Sequence, residues 1–294
     1  MSLLSDDAKK EEIHLKIRSL RESDLPAVMR LKELARWNQT EKDWRRLLRL
    51  EPQGCFVACR QARVVATITT TTYGHVLAWI GMVIVDPEFR RRGIASVLMR
   101  TALDYLQQVG IATVKLDATP DGRFVYEELG FGRESLIERW EGIARPVEKR
   151  RCASLDEEMW SEMLDLDGRA FGADRSRLLD SLVKDSCARP LVLSAPDGRL
   201  QGYALARAGS RASYLGPLVA IDEQAFEALL DGMLGQLLGQ KVYMDFNTGS
   251  VADTEALIKR GFTKQRDLLR MRYGQENPVG TSRFVFAIAG PEVG

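Results

Sequence analysis

Apolar and polar positions follow two alternating periods along this chain. Runs of period two, or of continuous apolar character, at Cys55–Arg60, Val64–Tyr73 and Val76–Val85 predict β-strands, after a shorter one at His14–Arg18. Helical spacing predicts a helix from about Leu25, after the capping residues Ser23 and Asp24. A second helix, capped by Thr40, runs to Leu50 with Trp44, Leu47 and Leu48 on one face. Val97, Leu98, Ala102, Tyr105 and Leu106 then mark a helix over Ala95–Val109, which Gly110 ends. A short strand at Thr113–Asp117, a short helix at Arg123–Leu129 and a strand at Arg133–Trp140 complete this half.

Gly142–Arg150, with Pro146 inside it, reads as a linker, and the order then recurs. Strands are predicted at Leu191–Ser194, Leu200–Ala208, Ala212–Leu218 and Val242–Phe246. Helices are predicted at Glu223–Leu238 and Ala252–Arg260, and a last strand at Arg283–Ala289. Two passages align: V-K-L-D before Y-E-E-L-G-F in the first half, and V-Y-M-D before L-I-K-R-G-F in the second. The chain therefore reads as a two-copy duplication, too long in period for a solenoid. The two units are expected over residues 12–142 and 150–294, each an α/β unit with a mixed, mostly antiparallel sheet flanked by helices.

Composition narrows the function. With 294 residues, 45% hydrophobic and 28% charged, the chain can build two cores. A net charge of +1 gives no global electrostatic case for nucleic acid or an anionic membrane, and neither partner is expected. No run approaches the length of a transmembrane helix, and Met1–Glu12 lacks the apolar core of a signal peptide. A cytoplasmic location and four free thiols, Cys55, Cys59, Cys152 and Cys187, are expected. His14 and His75 are the only histidines, too few with these cysteines to predict a metal site.

The segment richest in chemistry is Val83-Ile84-Val85-Asp86-Pro87-Glu88-Phe89-Arg90-Arg91-Arg92-Gly93-Ile94-Ala95. A buried strand runs into a tight basic turn and straight into a helix. Such a turn aims backbone N–H groups at one point, at the positive end of a helix dipole, and suits a phosphate or pyrophosphate. Gly93 permits close approach, and the arginines add charge-assisted hydrogen bonds. It is neither a P-loop nor a dinucleotide-binding G-x-G-x-x-G. Taken alone, the turn reads equally as a solvated basic loop.

Arg90–Ala95 resembles the Q/R-x-x-G-x-G/A pyrophosphate signature of the GNAT superfamily of N-acetyltransferases, and V-D-P-E-F and Y-E-E-L-G-F are similar to its flanking motifs. The resemblance spans roughly Leu15–Trp140. It implies that the strand Met82, Val83, Ile84, Val85 splays from Thr113–Asp117 and pairs with a pantetheine arm. Backbone N–H groups from Arg91 through Arg92, Gly93, Ile94, Ala95 and Ser96 would hold the pyrophosphate, with Arg90, Asp117 and Thr119 also on the cofactor side. Acetyl-CoA is the implied co-substrate. The amide near Val83 would polarise the thioester. Tyr126 would protonate the leaving thiolate, or pack on the cofactor arm. Thr119 stands where the family often has asparagine, and Trp79–Val85 lacks the carboxylate that often serves as base there. The base is then water, a backbone carbonyl or a group from elsewhere, such as the second half.

The second copy keeps the core pattern but has Asp222-Glu223 at the turn and Leu257 where the first has Tyr126. It resembles a degenerate GNAT unit that completes the acceptor pocket or packs against the catalytic half. Trp37, Asn38, Gln39 and, in the matching second-half loop, Asp174 are candidate acceptor contacts. The implied reaction is acetyl transfer to a primary amine, small or peptidic, by direct attack in a ternary complex. The rival is a non-catalytic acyl-CoA-binding or sensing module. A monomer with internal pseudo-symmetry is expected, with a dimer as the alternative.

Overall fold

The computed structural model describes residues 14–146, 152–250, 254–275 and 280–294. The first half folds as β1 (Lys16–Ser19), α1 (Leu25–Leu34), α2 (Glu41–Leu50), β2 (Phe56–Arg60), β3 (Arg63–Tyr73), β4 (Leu77–Val85), α3 (Ile94–Gln108), β5 (Thr113–Ala118), α4 (Arg123–Glu128) and β6 (Gly132–Ile143). The second half repeats the order as β7 (Ala153–Ser154), α5 (Glu157–Phe171), α6 (Ser176–Lys184), β8 (Leu191–Ser194), β9 (Leu200–Arg207), β10 (Ser213–Ala220), α7 (Glu223–Gln236), β11 (Lys241–Asn247), α8 (Glu255–Lys259) and β12 (Thr263–Gly274). β13 (Val285–Ala287) follows.

Local chemistry explains the boundaries. Thr40 and Asp43 form a capping box at the start of α2: the Thr40 backbone N–H donates to Asp43 at 2.7 Å. α3 starts at Gly93, in the left-handed region (φ +73°), and buries Ile94, Leu98, Met99, Ala102 and Leu106. α5 is capped by Asp156 and stopped by Gly172 at φ +93°.

Three expectations shift. The predicted linker begins inside β6, where Gly142 pairs with Val242 and Ile143 with Lys241; residues 147–150 lie outside the described ones. The helix expected from Ala252 starts at Glu255, and Ala252 also lies outside the described residues. The last strand shortens to Val285–Ala287 behind a 3-10 turn. The sequence pattern assigns no bounds to α5, α6, β7 or β12, although the loop at Phe171–Arg175, matching the one between the first two helices, falls between α5 and α6.

β12 is central to the architecture. Among the described residues all strands join one sheet in the order β1-β2-β3-β4-β5-β12-β6-β11-β13-β10-β9-β8-β7. The late strands of the two copies have traded places. β12 lies between β5 and β6 of the first half, and β6 pairs with β11 of the second. Two buried ion pairs mark the exchange reciprocally. Arg139 of β6 binds Asp245 of β11 through two bonds of 2.7 and 2.5 Å. Arg270 of β12 binds Asp117 of β5 at 2.9 and 3.0 Å. The two aspartates end the aligned V-K-L-D and V-Y-M-D passages, so the pairs are pseudo-symmetry mates.

Separate cores lie under α3 and under α7, while a third runs across both halves, uniting Leu25, Trp44 and Trp79 with Met163, Leu179 and Ile288. Among the described residues no helix is long and apolar enough to cross a membrane, and no group of three or more His, Cys, Asp or Glu is placed to hold a metal.

Candidate active site

β4 and β5 run parallel only at their first residues, with Leu77, Ala78 and Trp79 beside Thr113, Val114 and Lys115. Beyond Trp79 they diverge. A bulge begins the divergence: Thr67 pairs with Ile84 and Thr69 with Gly81, so Met82 and Val83 together oppose Ile68. Met82 takes φ +52°, a conformation costing a non-glycine residue about 1–2 kcal/mol. The Thr67 hydroxyl donates to the Met82 carbonyl at 2.7 Å and fixes the bulge.

The diverging strands open a groove of about 1000 Å³, walled by Val83, Ile84 and Val85, by the turn residues Arg90, Arg91, Gly93, Ile94, Ala95 and Ser96, and by Thr119 and Tyr126. Phe89 anchors the turn from beneath, with the Arg60, Arg63 and Arg92 guanidiniums 5.4–5.8 Å from its ring centre. Asp86 holds the strand end. It accepts hydrogen bonds from Arg30 and Arg63 at 2.9 and 2.8 Å. Burial alone would raise its pKa, but these bonds keep it below the usual carboxylate range. No side chain caps α3, a Cβ on Gly93 would meet no atom within 4 Å, and the residues that begin the helix, Gly93–Ser96, line the groove.

Tyr126 sits where the groove meets a second, smaller cavity of about 60 Å³ and lines both. Burial pushes its phenol far above the usual value, so it stays protonated at neutral pH and can donate. The small cavity is also lined by Trp37, Gln39, Gly81, Met82, Val83, Asp117, Arg139, Arg266 and Glu292. Arg266 faces both cavities, its Nε atom has no hydrogen-bond partner, and burial together with nearby Arg139 lowers its pKa to about 10.

The sequence-predicted residues fall into two sets. Val83 through Val85, Arg90, Arg91, Gly93–Ser96, Thr119, Tyr126 and Trp37 line the groove, and Met82 lines the inner cavity. Arg92 stacks on Phe89 outside the lining. Asp117 reaches the inner cavity rather than the groove, bound to Arg270. Asn38 is buried as a stitch between halves, donating to the Ala212 carbonyl at 3.0 Å and accepting from the Arg211 and Ala212 N–H groups. Asp174 is exposed and accepts from Ser176 N–H at the start of α6. Neither lines the groove or the inner cavity.

The matching place in the second half is closed. β10 and β11 also pair only at their start, Ser213 with Val242 and Tyr214 with Tyr243. β13 fills the gap beyond, antiparallel to both. Asp222 caps α7 by accepting from Ala225 N–H at 2.8 Å, and Leu257 is buried in the core. The groove's equivalent is thus occupied by protein.

The segment after β13 runs back to the first half. The Ile288 N–H donates to the Asp245 backbone carbonyl, Trp79 donates to the Pro291 carbonyl at 3.1 Å, and Tyr73 to that of Val293 at 2.5 Å. This places Glu292 against β4. The sequence reading missed it; its one signal was Gly81, inside a strand of bulky residues, where a missing side chain marks close backbone approach. A Cβ there would lie 2.6 Å from the Glu292 Cα.

Comparison with known proteins agrees with both halves. The Acetyltransferase (GNAT) family matches residues 16–131, and an Acetyltransferase (GNAT) domain matches residues 163–287. An uncharacterized N-acetyltransferase of Bacillus subtilis, YitH, is 24% identical over 88% of this chain and 92% of its own. A holothin acyltransferase of Pseudoalteromonas is 24% identical over 88% and 87%. Among solved structures, a putative acetyltransferase of Pyrococcus horikoshii superposes with a TM-score of 0.81 at 23% identity, covering 95% of this chain and 96% of that one. A tandem GNAT protein from the clavulanic acid biosynthesis pathway gives 0.61 at 14% identity, over 90% and 100%. These superpositions establish the shared fold.

Proposed function

We propose that this chain, which belongs to the GNAT acetyltransferase family in both its halves, transfers an acetyl group from acetyl-CoA to a primary amine by direct attack in a ternary complex. One observation carries the reading: the uncapped start of α3, the bulged end of β4 and the buried Tyr126 all line one groove, which meets a second cavity at Tyr126. The named relatives are acetyl- and acyltransferases, which supports acyl transfer as the reaction class.

In this reading the N–H groups at the start of α3, aided by Arg90 and Arg91, hold the pyrophosphate, and the free edge of β4 pairs with the pantetheine arm. The thioester carbonyl lies at Val83, whose amide stabilises the negative charge that develops on oxygen. The amine enters from the inner cavity beside Trp37. Holding both reactants together supplies up to about 7–11 kcal/mol of the barrier. Tyr126 gives its proton to the departing sulfur. The first half holds the cofactor groove and the proton donor Tyr126, and the second supplies β12, Arg266 and the segment bearing Glu292 to the acceptor side.

The test is calorimetric and kinetic. Titration with CoA should give one site per chain, because β13 fills the second groove. Thiol release from acetyl-CoA should then depend on added primary amine. Two equivalent CoA sites, or release indifferent to amine, would overturn the proposal.

A further inference from the structure

β4 supplies no carboxylate: Trp79–Val85 is apolar apart from Gly81. The space over Gly81 is filled by Glu292, whose Cα, carbonyl oxygen and Cβ lie 2.6–2.9 Å from where a Gly81 Cβ would be. The Glu292 side chain is only 4% exposed and lines the same cavity as Val83 and Tyr126. Resting on the acetyl-transfer reading, we infer that Glu292 is the general base: delivered from the second half, it takes the proton from the acceptor ammonium.

The surroundings suit a carboxylate that exchanges a proton. Its Oε1 accepts from Arg207 at 2.8 Å and its Oε2 from Gln39 at 2.8 Å. Arg207 of β9 is shared, since it also donates to Asp43 of α2 at 3.1 Å. Asp43 has a second cation, Arg46, at 2.7 Å. Asp43 is therefore held ionised. Glu292 is left with half of one guanidinium, and burial together with the nearby Asp43 charge outweighs Arg207 and raises its pKa. Tyr73 of β3, Arg139 of β6 and Tyr214 of β10 also interact with it electrostatically, and Asp117 of β5 and Arg266 of β12 line the same cavity.

The step balances. Glu292 accepts one proton from R–NH3+, and the freed nitrogen pair forms the C–N bond at the thioester carbonyl. The C–S bond breaks with its electrons going to sulfur, which takes the Tyr126 proton. The phenolate then recovers the surplus proton from nitrogen, and Glu292 releases its own to solvent. Amide, free thiol and one proton result.

The test uses two nucleophiles of the same shape, ethylamine and methoxyamine. The first is an ammonium at neutral pH and needs a base; the second is already neutral. Glu292→Gln should lower kcat/KM for ethylamine by about 10²–10⁴ while changing methoxyamine by less than about threefold, with acetyl-CoA affinity intact. The wild-type chain gives the same answer without a variant: above the pH at which methoxyamine itself takes up a proton, ethylamine turnover should fall on the acid side as Glu292 protonates, and methoxyamine turnover should not. Equal losses with both nucleophiles, no loss with either, or matching acid limbs in the wild-type chain would overturn the assignment while leaving acetyl transfer standing. Absence of amine-dependent thiol release from the wild-type chain with either nucleophile would instead refute the transferase reading and this inference with it.

Discussion

Replacing Asp245 by asparagine tests whether the exchanged strands bind the two halves into one cooperative unit. Asp245 is fully buried and accepts two bonds from Arg139, at 2.7 and 2.5 Å, and a third from the Tyr214 hydroxyl at 3.0 Å. Arg139 is 4% exposed and has no other carboxylate partner among its hydrogen bonds. Asparagine keeps the shape but leaves the guanidinium charge buried without compensation. Breaking a buried pair from one side costs about 3–5 kcal/mol. With an unfolding entropy of about 2.1 cal/mol/K per residue, 294 residues give about 0.6 kcal/mol/K, so Tm should fall by about 5–8 °C. The assay is urea unfolding followed by tryptophan fluorescence and circular dichroism. The halves hold Trp37, Trp44, Trp79 and Trp140 in one and Trp160 in the other, so the two signals report on different regions. Both should move together in a single transition, because β12 and β6 each pair with strands of the opposite half. A loss below about 1 kcal/mol, or two transitions of which one alone shifts, would refute the reasoning.

Tyr126→Phe should lower acetyl transfer by about 10²–10⁴ while acetyl-CoA affinity by calorimetry stays nearly unchanged, because only the proton donor is lost; wild-type turnover would mark Tyr126 as a packing residue. Gly93→Val should abolish acetyl-CoA binding, since its side chain would enter the open space beside the α3 start and its φ of +73° disfavours a β-branched residue. Its circular dichroism should remain that of a folded chain, and unchanged affinity would sink the pyrophosphate assignment. Gly81→Ala should displace the Glu292 segment, costing about 1–3 kcal/mol of stability. Ethylamine turnover should drop with it, while acetyl-CoA binding holds; full activity would contradict the docking of Glu292 on β4.

Much of this was legible in the sequence because it is local. The period-two runs of β2, β3 and β4, the Thr40 cap and the basic turn before α3 each depend on residues within a few positions of one another. So do the losses in the second copy, since Asp222 caps α7 from its own first turn. The V-K-L-D and V-Y-M-D repeat marks two aspartates, but their partners Arg139 and Arg270 are fixed only when β6 and β12 cross between halves. Strand pairing at such separation leaves no periodic trace, because any amphipathic strand offers the same pattern to any neighbour. Asn38 likewise looks like a loop residue facing substrate until the fold turns it onto Arg211 and Ala212. Glu292 is the clearest case. It is 166 positions from Tyr126 in the chain (292 − 126), and only β13, wedged between β10 and β11, aims the following residues at Gly81. The sequence determined two copies of one fold, one retaining a basic-glycine turn and one not; the tertiary structure decided that they share a sheet, and that a carboxylate from the other half is buried beside a shared arginine.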